Sequence, residues 1–429
     1  MNQLKRLIPI LAYILAFLLP WQTKLILRPS FSNYTEISLY AWEIVLLILV
    51  FAFLAFLIIS RVWKNFYSFK KIPAYFWILA VWELFTLVSI FGAGDKFLAL
   101  NYYFLFLLAL GLFFIITNRE LAVSRFRLAL SLIVSLSLQA ALAIAQFLLQ
   151  TSWACKYLGL SYHNPAVFGT SVIETISGRW LRAYGGFDHP NILGGVLVFG
   201  LLLAAYYIIN LPGREPVRET RKKLSNRWRA TGIFWLFYLL GLGALTFSFS
   251  RSAFLALGAG FLVYGLFYLQ AKQKFEFQKL LALAFISVLL VTAISWPFKE
   301  IWTSRVLMNN RLEVKSLDER QEYALQAAQM IKARPWLGVG RGNYVEQVAT
   351  FDPYPQPVHN VFILSWAEIG VFGFLALAAW LFYSLKKSGR SEISAAFLIV
   401  LVILMFFDHW LFSLPFGLVF FWLIFGFIW

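Results

Sequence analysis

Apolar runs of about twenty residues recur along this chain, separated by short polar segments. A helix of that length spans the hydrocarbon core of a bilayer. The pattern therefore predicts an all-α polytopic membrane protein with about twelve transmembrane helices. Their expected ranges are 7–27, 39–60, 73–93, 97–117, 128–149, 190–209, 231–248, 252–270, 280–298, 358–383, 392–408 and 410–428. A tight turn at Asp408-His409 divides the last two. The first run follows Lys5 and Arg6, as in a signal peptide. It holds no Ala-x-Ala cleavage pattern and is expected to be a retained helix.

Two segments interrupt this rhythm, 151–189 and 299–357, and the second is too long for an ordinary connector. They divide the chain into 1–150 with helices one to five, the loop 151–189, 190–298 with helices six to nine, the long loop 299–357, and 358–429 with the last three helices. Within the long loop, Tyr323, Ala327, Met330 and Ile331 recur at spacings near three and four. That predicts a helix over Asp318–Lys332, stopped by Pro335. Gly338, Gly340 and Gly342 then predict a turn-rich stretch before Tyr344. This glycine run follows no strand and opens no helix of the kind a nucleotide loop needs.

Composition excludes an ordinary soluble domain: 13% of residues are charged, against about 25% in soluble proteins. The net charge of +17 would suggest nucleic acid in a soluble chain. Here no basic folded domain exists to carry that role, and cytoplasmic loops of membrane proteins collect Lys and Arg. With the amino terminus inside, twenty-two basic residues fall in inner segments and four in short outer loops. Arg214, Arg218 and Arg221–Arg229 form the densest inner group. Both termini are thus expected in the cytoplasm and both long loops on the outer face. The single cysteine, Cys155, excludes an intrachain disulfide and a cysteine-built zinc site.

Three polar groups then fall on one membrane face. Arg182 precedes Gly185-Gly186-Phe187-Asp188-His189-Pro190, whose glycines and proline are explained by a turn into a helix. Arg251 lies in a turn too short to leave the interface, where it either snorkels or clamps an anion. His359 stands at a helix start, as a cap or as a base near neutrality. Two arginines and a histidine at one face suit a lipid diphosphate as leaving group and a hydroxyl to be deprotonated. Asn360 and Asp408 are expected to support the site. Glu43 and Glu83 lie within apolar runs, and Glu368, nine residues past His359, is placed too far round the helix to orient it. His163, His189 and Asp188 make no recognised metal spacing, so no metal is expected.

Four motifs now occur in order. They are Arg182 with Gly185-Gly186-Phe187-Asp188-His189-Pro190-Asn191; Ser250-Arg251-Ser252; Arg334-Pro335-Trp336-Leu337-Gly338-Val339-Gly340 with Asn343-Tyr344; and His359-Asn360 followed by Ala367-Glu368-Ile369-Gly370. Together they resemble the O-antigen ligase/O-antigen polymerase superfamily over about 180–375. The resemblance implies an inverting GT-C-type glycosyltransferase that needs no metal or cofactor. It would transfer a glycan from undecaprenyl diphosphate to an acceptor hydroxyl on a glycolipid, glycan or protein, at the outer face of the bacterial cytoplasmic membrane. It implies Arg182 and Arg251 on the diphosphate, Arg320 on substrate or bracing the loop, and His359 activating the acceptor. Ligase is placed ahead of polymerase. A transporter would instead predict inverted repeats and polar groups at the midplane, and the sequence offers no repeat.

Overall fold

Caps and helix breakers set the element boundaries in this chain. The computed structural model describes residues 1–60, 72–210, 221–307, 311–349, 355–389 and 391–429, with backbone alone over 221–229. The basic residues expected at 61–71, Arg214, Arg218 and Arg390 lie outside the described residues, as do 308–310 and 350–354 of the long loop.

The elements are α1 (Asn2–Leu18), β1 (Lys24–Arg28), β2 (Ile37–Tyr40), α2 (Ala41–Ser60), α3 (Ala74–Ser89), α4 (Lys96–Thr117), α5 (Arg125–Leu149), β3 (Val172–Thr175) and β4 (Gly178–Leu181). There follow α6 (Pro190–Asn210), α7 (Arg221–Ser248), α8 (Arg251–Gln270), α9 (Lys274–Ser295), α10 (Lys299–Leu307), α11 (Arg311–Ala333) and α12 (Tyr344–Val348). The chain ends with α13 (Val361–Ser388), α14 (Glu392–Phe407), α15 (Trp410–Ser413) and α16 (Pro415–Ile428). Asp95 caps α4 by accepting from the Leu98 N–H at 2.9 Å, and Pro190 and Pro415 open α6 and α16.

Among the described residues, nine helices are long and apolar enough to cross a membrane. The other three expected spans correspond to α1, α14 and α16, which are 17, 16 and 14 residues long. The first span is shorter than expected. The helix ends at Leu18, before Pro20, and Leu25, Ile26 and Leu27 sit exposed on β1 of a hairpin. Two antiparallel hairpins, β1–β2 and β3–β4, so qualify the all-α expectation. The loop helix α11 begins earlier than expected, at Arg311, and stops at Ala333 before Pro335.

Loop contacts sort the helix ends into two groups. At one end Lys5 pairs with Glu120 at 3.3 Å, and the Lys279 ammonium donates to the Ile209 carbonyl at 2.9 Å. At the other end Arg28 pairs with Asp95, the Asn343 side chain accepts from the Asp95 N–H at 2.7 Å, and the Tyr102 hydroxyl donates to the Ser413 carbonyl at 2.7 Å. The helices therefore alternate up and down. α6 and α16 are buried at the centre, whereas α2 and α9 turn Ile48, Phe51, Phe285 and Val288 outward. Glu43 is accounted for locally: its carboxylate accepts from the Tyr40 N–H at the start of α2.

The glycine run after Pro335 has a structural task. α13 is broken at Gly370, with φ 72° and ψ 178°. The carbonyls of Ala367 and Glu368 accept from the N–H groups of Val339 and Gly340, each at 2.9 Å, and Val371 donates to the Pro335 carbonyl at 2.9 Å. The loop thus plugs the break in the helix and satisfies its exposed backbone groups. A Cβ at Gly370 would lie 2.0 Å from the Trp336 oxygen, and one at Gly338 would lie 2.4 Å from the Glu368 carbonyl. Gly370→Ala is expected to lower the thermal midpoint sharply, since the backbone region alone costs about 1–3 kcal/mol before that collision. A midpoint equal to wild type in detergent-purified protein would show that the plug yields freely.

Candidate active site

The turn between α7 and α8 is gripped from two sides by arginine. Arg182 is buried and donates from Nε to the Ser248 carbonyl at 2.9 Å, from one terminal nitrogen to Ser171 Oγ at 3.0 Å, and from the other to Asn191 Oδ1 at 2.7 Å. All three acceptors are neutral, so its charge stays uncompensated by direct contact. Burial, then Arg305, pushes its pKa below the ordinary guanidinium value. Arg305 donates from Nε to the Phe249 carbonyl at 3.2 Å. Phe249 adopts φ 50°, which turns the chain tightly enough to start α8 at Arg251.

Arg251 is half-exposed. One terminal nitrogen donates to the Arg305 carbonyl at 3.2 Å, and the other meets Glu313 at 3.2 Å. Glu313 also pairs with Arg305, so one buried carboxylate bridges two guanidiniums. Arg320, two turns along α11 from Glu313, is half-buried, and its charge is felt at His359 and His409. Two arginines thus share one carboxylate, and Arg182 holds the same turn from its other side.

His359 sits beside this cluster. Its ring lies parallel to Tyr323 at 5.9 Å and edge-on to His409 at 4.8 Å. Its Nδ1 is buried without a hydrogen-bond partner. Burial, then the neighbouring His409, pushes the His359 pKa down to about 3; Asp408 opposes them. Both causes favour the uncharged imidazole. It lines a cavity of about 440 Å³ together with Tyr34, Asp188, His189, Asp408 and His409. Asn360 caps α13 by accepting from the Ile363 N–H at 3.0 Å and donates to the Phe406 carbonyl at 3.2 Å. It thereby fixes where His359 emerges from the helix. Asp408 accepts from the His409 N–H at 2.8 Å and from the Asn191 side chain at 3.4 Å. Burial pushes its carboxyl up, but His409, His359 and His189 hold it below the ordinary carboxylate value.

Residues 236–378 match the family described as O-Antigen ligase. The matched third of the chain holds Arg251, Arg320, His359, the glycine plug and Gly370, so the resemblance drawn from the motifs is supported on the segment that carries most of them. Members of the O-antigen ligase family are glycosyltransferase-like ligases or polymerases, and with its apolar helices the chain is an integral membrane protein. No curated protein matches the chain.

Of the expected site residues, His359 and Asp408 line one cavity, whereas Arg182, Arg251 and Arg320 lie outside its lining. Arg182 and Ser171 join the cavity wall to the turn before α8, and Arg182 acts through partners it already holds. Glu368 does not touch His359. It accepts from the Tyr344 N–H at 3.4 Å, the Tyr344 hydroxyl donates to the Tyr323 carbonyl at 2.8 Å, and the Tyr323 ring faces His359. Glu83 lies apart on α3 with no hydrogen-bond partner for either oxygen. His163 stacks on Tyr184 at 3.9 Å, away from His359. Among the described residues no three His, Cys, Asp or Glu side chains are placed to hold a metal ion. Sequence reasoning missed Arg305 and Glu313, whose pairing joins α10 to α11, and Tyr34, whose ring meets His409 edge-on at 5.5 Å. The polar pair Asp408-His409 between two apolar runs was the one signal in reach.

Proposed function

We propose that the chain is a metal-independent, inverting glycosyltransferase of the GT-C type. It takes a glycan from undecaprenyl diphosphate and gives it to an acceptor hydroxyl. The acceptor is lipid A core for a ligase or another lipid-linked repeat for a polymerase. The chain would cross the bacterial cytoplasmic membrane twelve times, with both termini inside and the cavity at the outer face. The observation that carries this reading is the buried imidazole of His359, its Nδ1 without a hydrogen-bond partner, lining a cavity and within the field of Arg320. His359 takes the proton from the acceptor hydroxyl as that oxygen attacks the anomeric carbon. The bond from that carbon to the diphosphate breaks, and the departing charge is received by Arg251 and Arg320, with Arg182 and Arg305 adding to the field.

The test is transfer from a radiolabelled undecaprenyl-diphosphate glycan by purified protein, with lipid A core in one tube and unlabelled lipid-linked repeat in the other. Labelled lipid A core identifies a ligase, and a ladder in the second tube identifies a polymerase. Product formation is expected to persist in EDTA; activity lost to EDTA and restored by a divalent ion would contradict the metal-free mechanism. No product in either tube from folded protein would overturn the transferase reading.

A further inference from the structure

The cavity at His359 adjoins a second one of about 560 Å³, and Asn33 and Asp188 line both. Lys24, Glu36, Lys156 and Ser161 complete its polar wall. The wall is built rather than incidental. Lys24 on β1 pairs with Glu36 at 2.6 Å, and the Thr23 hydroxyl donates to the Tyr157 carbonyl at 2.9 Å. The turn 155–160 closes on itself through two hydrogen bonds of 3.0 Å between Cys155 and Leu160. Gly159, at φ 65°, packs so closely on the hairpin that a Cβ would lie 2.1 Å from the Gln22 backbone.

The two cavities differ in their polar lining: His189, His359, Asp408 and His409 face the first, and Lys24, Glu36, Lys156 and Ser161 face the second. The groups that act on His359 are His409, Asp408 and Arg320, and Arg182 holds the lining residue Ser171. Burial, the largest influence, pushes the Asp188 carboxyl up; Lys24 opposes it and Glu36 adds to it. Asp188 is open to both cavities and makes no hydrogen bond or ion pair among the described residues. Lys24 and Glu36 are already paired across the second wall, so that wall mixes donors and acceptors and does not concentrate positive charge for a diphosphate. A sugar suits such a wall: its hydroxyls donate well to carboxylates, and charged acceptors make the stronger hydrogen bonds. Ammonium and amide groups of Lys24, Lys156 and Asn33 can donate in return.

We propose that the second cavity is the acceptor-glycan subsite, with Asp188 at its mouth accepting hydrogen bonds from sugar hydroxyls and so selecting which hydroxyl reaches His359. This rests on the transferase reading, in which Arg251 and Arg320 hold the donor diphosphate. The hairpin β1–β2 and the loop 151–189 lie outside the segment that matches the O-antigen ligase family. Acceptor choice is thereby placed on parts of the chain that the family match does not cover.

The experiment measures binding to purified full-length protein with two probes, inorganic diphosphate and the oligosaccharide released by mild acid from the encoding organism's surface glycan. Asp188→Asn keeps size and hydrogen-bonding shape, and Asp188 holds no partner that the change would strand. It is expected to weaken oligosaccharide binding tenfold or more while leaving diphosphate within twofold. Ser161→Trp, which fills the cavity from its other wall, is expected to do the same. Unchanged oligosaccharide affinity in both variants, or no oligosaccharide binding by wild type, would overturn the proposal. Failure of wild type to bind diphosphate would instead count against the transferase reading, since the arginines that would hold it line neither cavity.

Discussion

Replacing His359 by alanine is expected to lower the transfer rate about 10²–10⁴-fold, the usual contribution of a positioned base, and to leave the protein folded. The fold survives because the ring holds no hydrogen-bond partner that truncation would orphan. The rate falls because no other neutral base is equally placed. His409 donates to or accepts from Ser413 at 2.6 Å, and His189 accepts from the Asn191 N–H at 3.1 Å. The pH dependence separates the two complexes. In the free protein, burial, then His409, holds the His359 pKa down to about 3, with Arg320 adding to the depression. A base is lost when it is protonated, so kcat/KM for the donor stays flat from pH 8 down to about 5, rather than falling near the ordinary histidine value of about 6.5. A bound diphosphate offsets Arg320 and adds negative charge, which raises the His359 pKa and makes it a stronger base. The acid limb of kcat at saturating donor therefore lies at higher pH than that of kcat/KM. Stability carries the same sign: burial also pushes His189 down to about 3. The unfolded chain binds protons below about pH 6.5 that both folded histidines refuse, so stability declines as pH falls from there toward 3. Wild-type transfer by His359→Ala would remove the base from the mechanism.

Much of this architecture was legible because bilayer spans need long apolar runs, and α4, α5, α6 and α8 begin and end within three residues of the expected limits. The first span misled because the apolar run continues past Pro20 through Leu25, Ile26 and Leu27, and an exposed hairpin strand at the interface is as apolar as a helix. Hydropathy cannot tell the two apart; Pro20 could. Arg251 and His359 stood out because each is polar at the edge of an apolar run. Arg305 and Glu313 did not, since charged residues are ordinary in a polar loop and their meaning comes from α10 and α11 docking on the turn before α8. The Gly338–Gly342 run was legible as a turn and not as a plug, because its partner, the break at Gly370, lies about thirty residues further along the chain. Asp188 reads in the sequence as part of the turn into α6, because its neighbours Lys24 and Glu36 lie about 150 residues earlier in the chain.

Arg251→Lys is expected to lower kcat/KM for the donor about 10²–10³-fold, the range found when one donor to a developing negative charge is removed. Charge is conserved in this variant, so the loss measures geometry. The guanidinium of Arg251 divides its terminal nitrogens between the Arg305 carbonyl and Glu313, and the fork still has N–H groups left for a phosphate oxygen. An ammonium is a single point with three donors and cannot hold both protein acceptors in that plane while serving a third. Lysine at 251 also weakens one of the two guanidinium pairings of Glu313 and leaves that with Arg305 in place. Glu313→Gln separates the two consequences. It removes the carboxylate that bridges Arg251 and Arg305, and breaking a buried ion pair in this way costs about 3–5 kcal/mol. That variant is expected to lose thermal stability markedly, whereas Arg251→Lys, half-exposed, is expected to lose rate with little change in the thermal midpoint. If Arg251→Lys instead turned over donor at the wild-type rate, the planar fork would have no part in holding the leaving group, and the role would pass to Arg320, whose side chain makes no ion pair among the described residues.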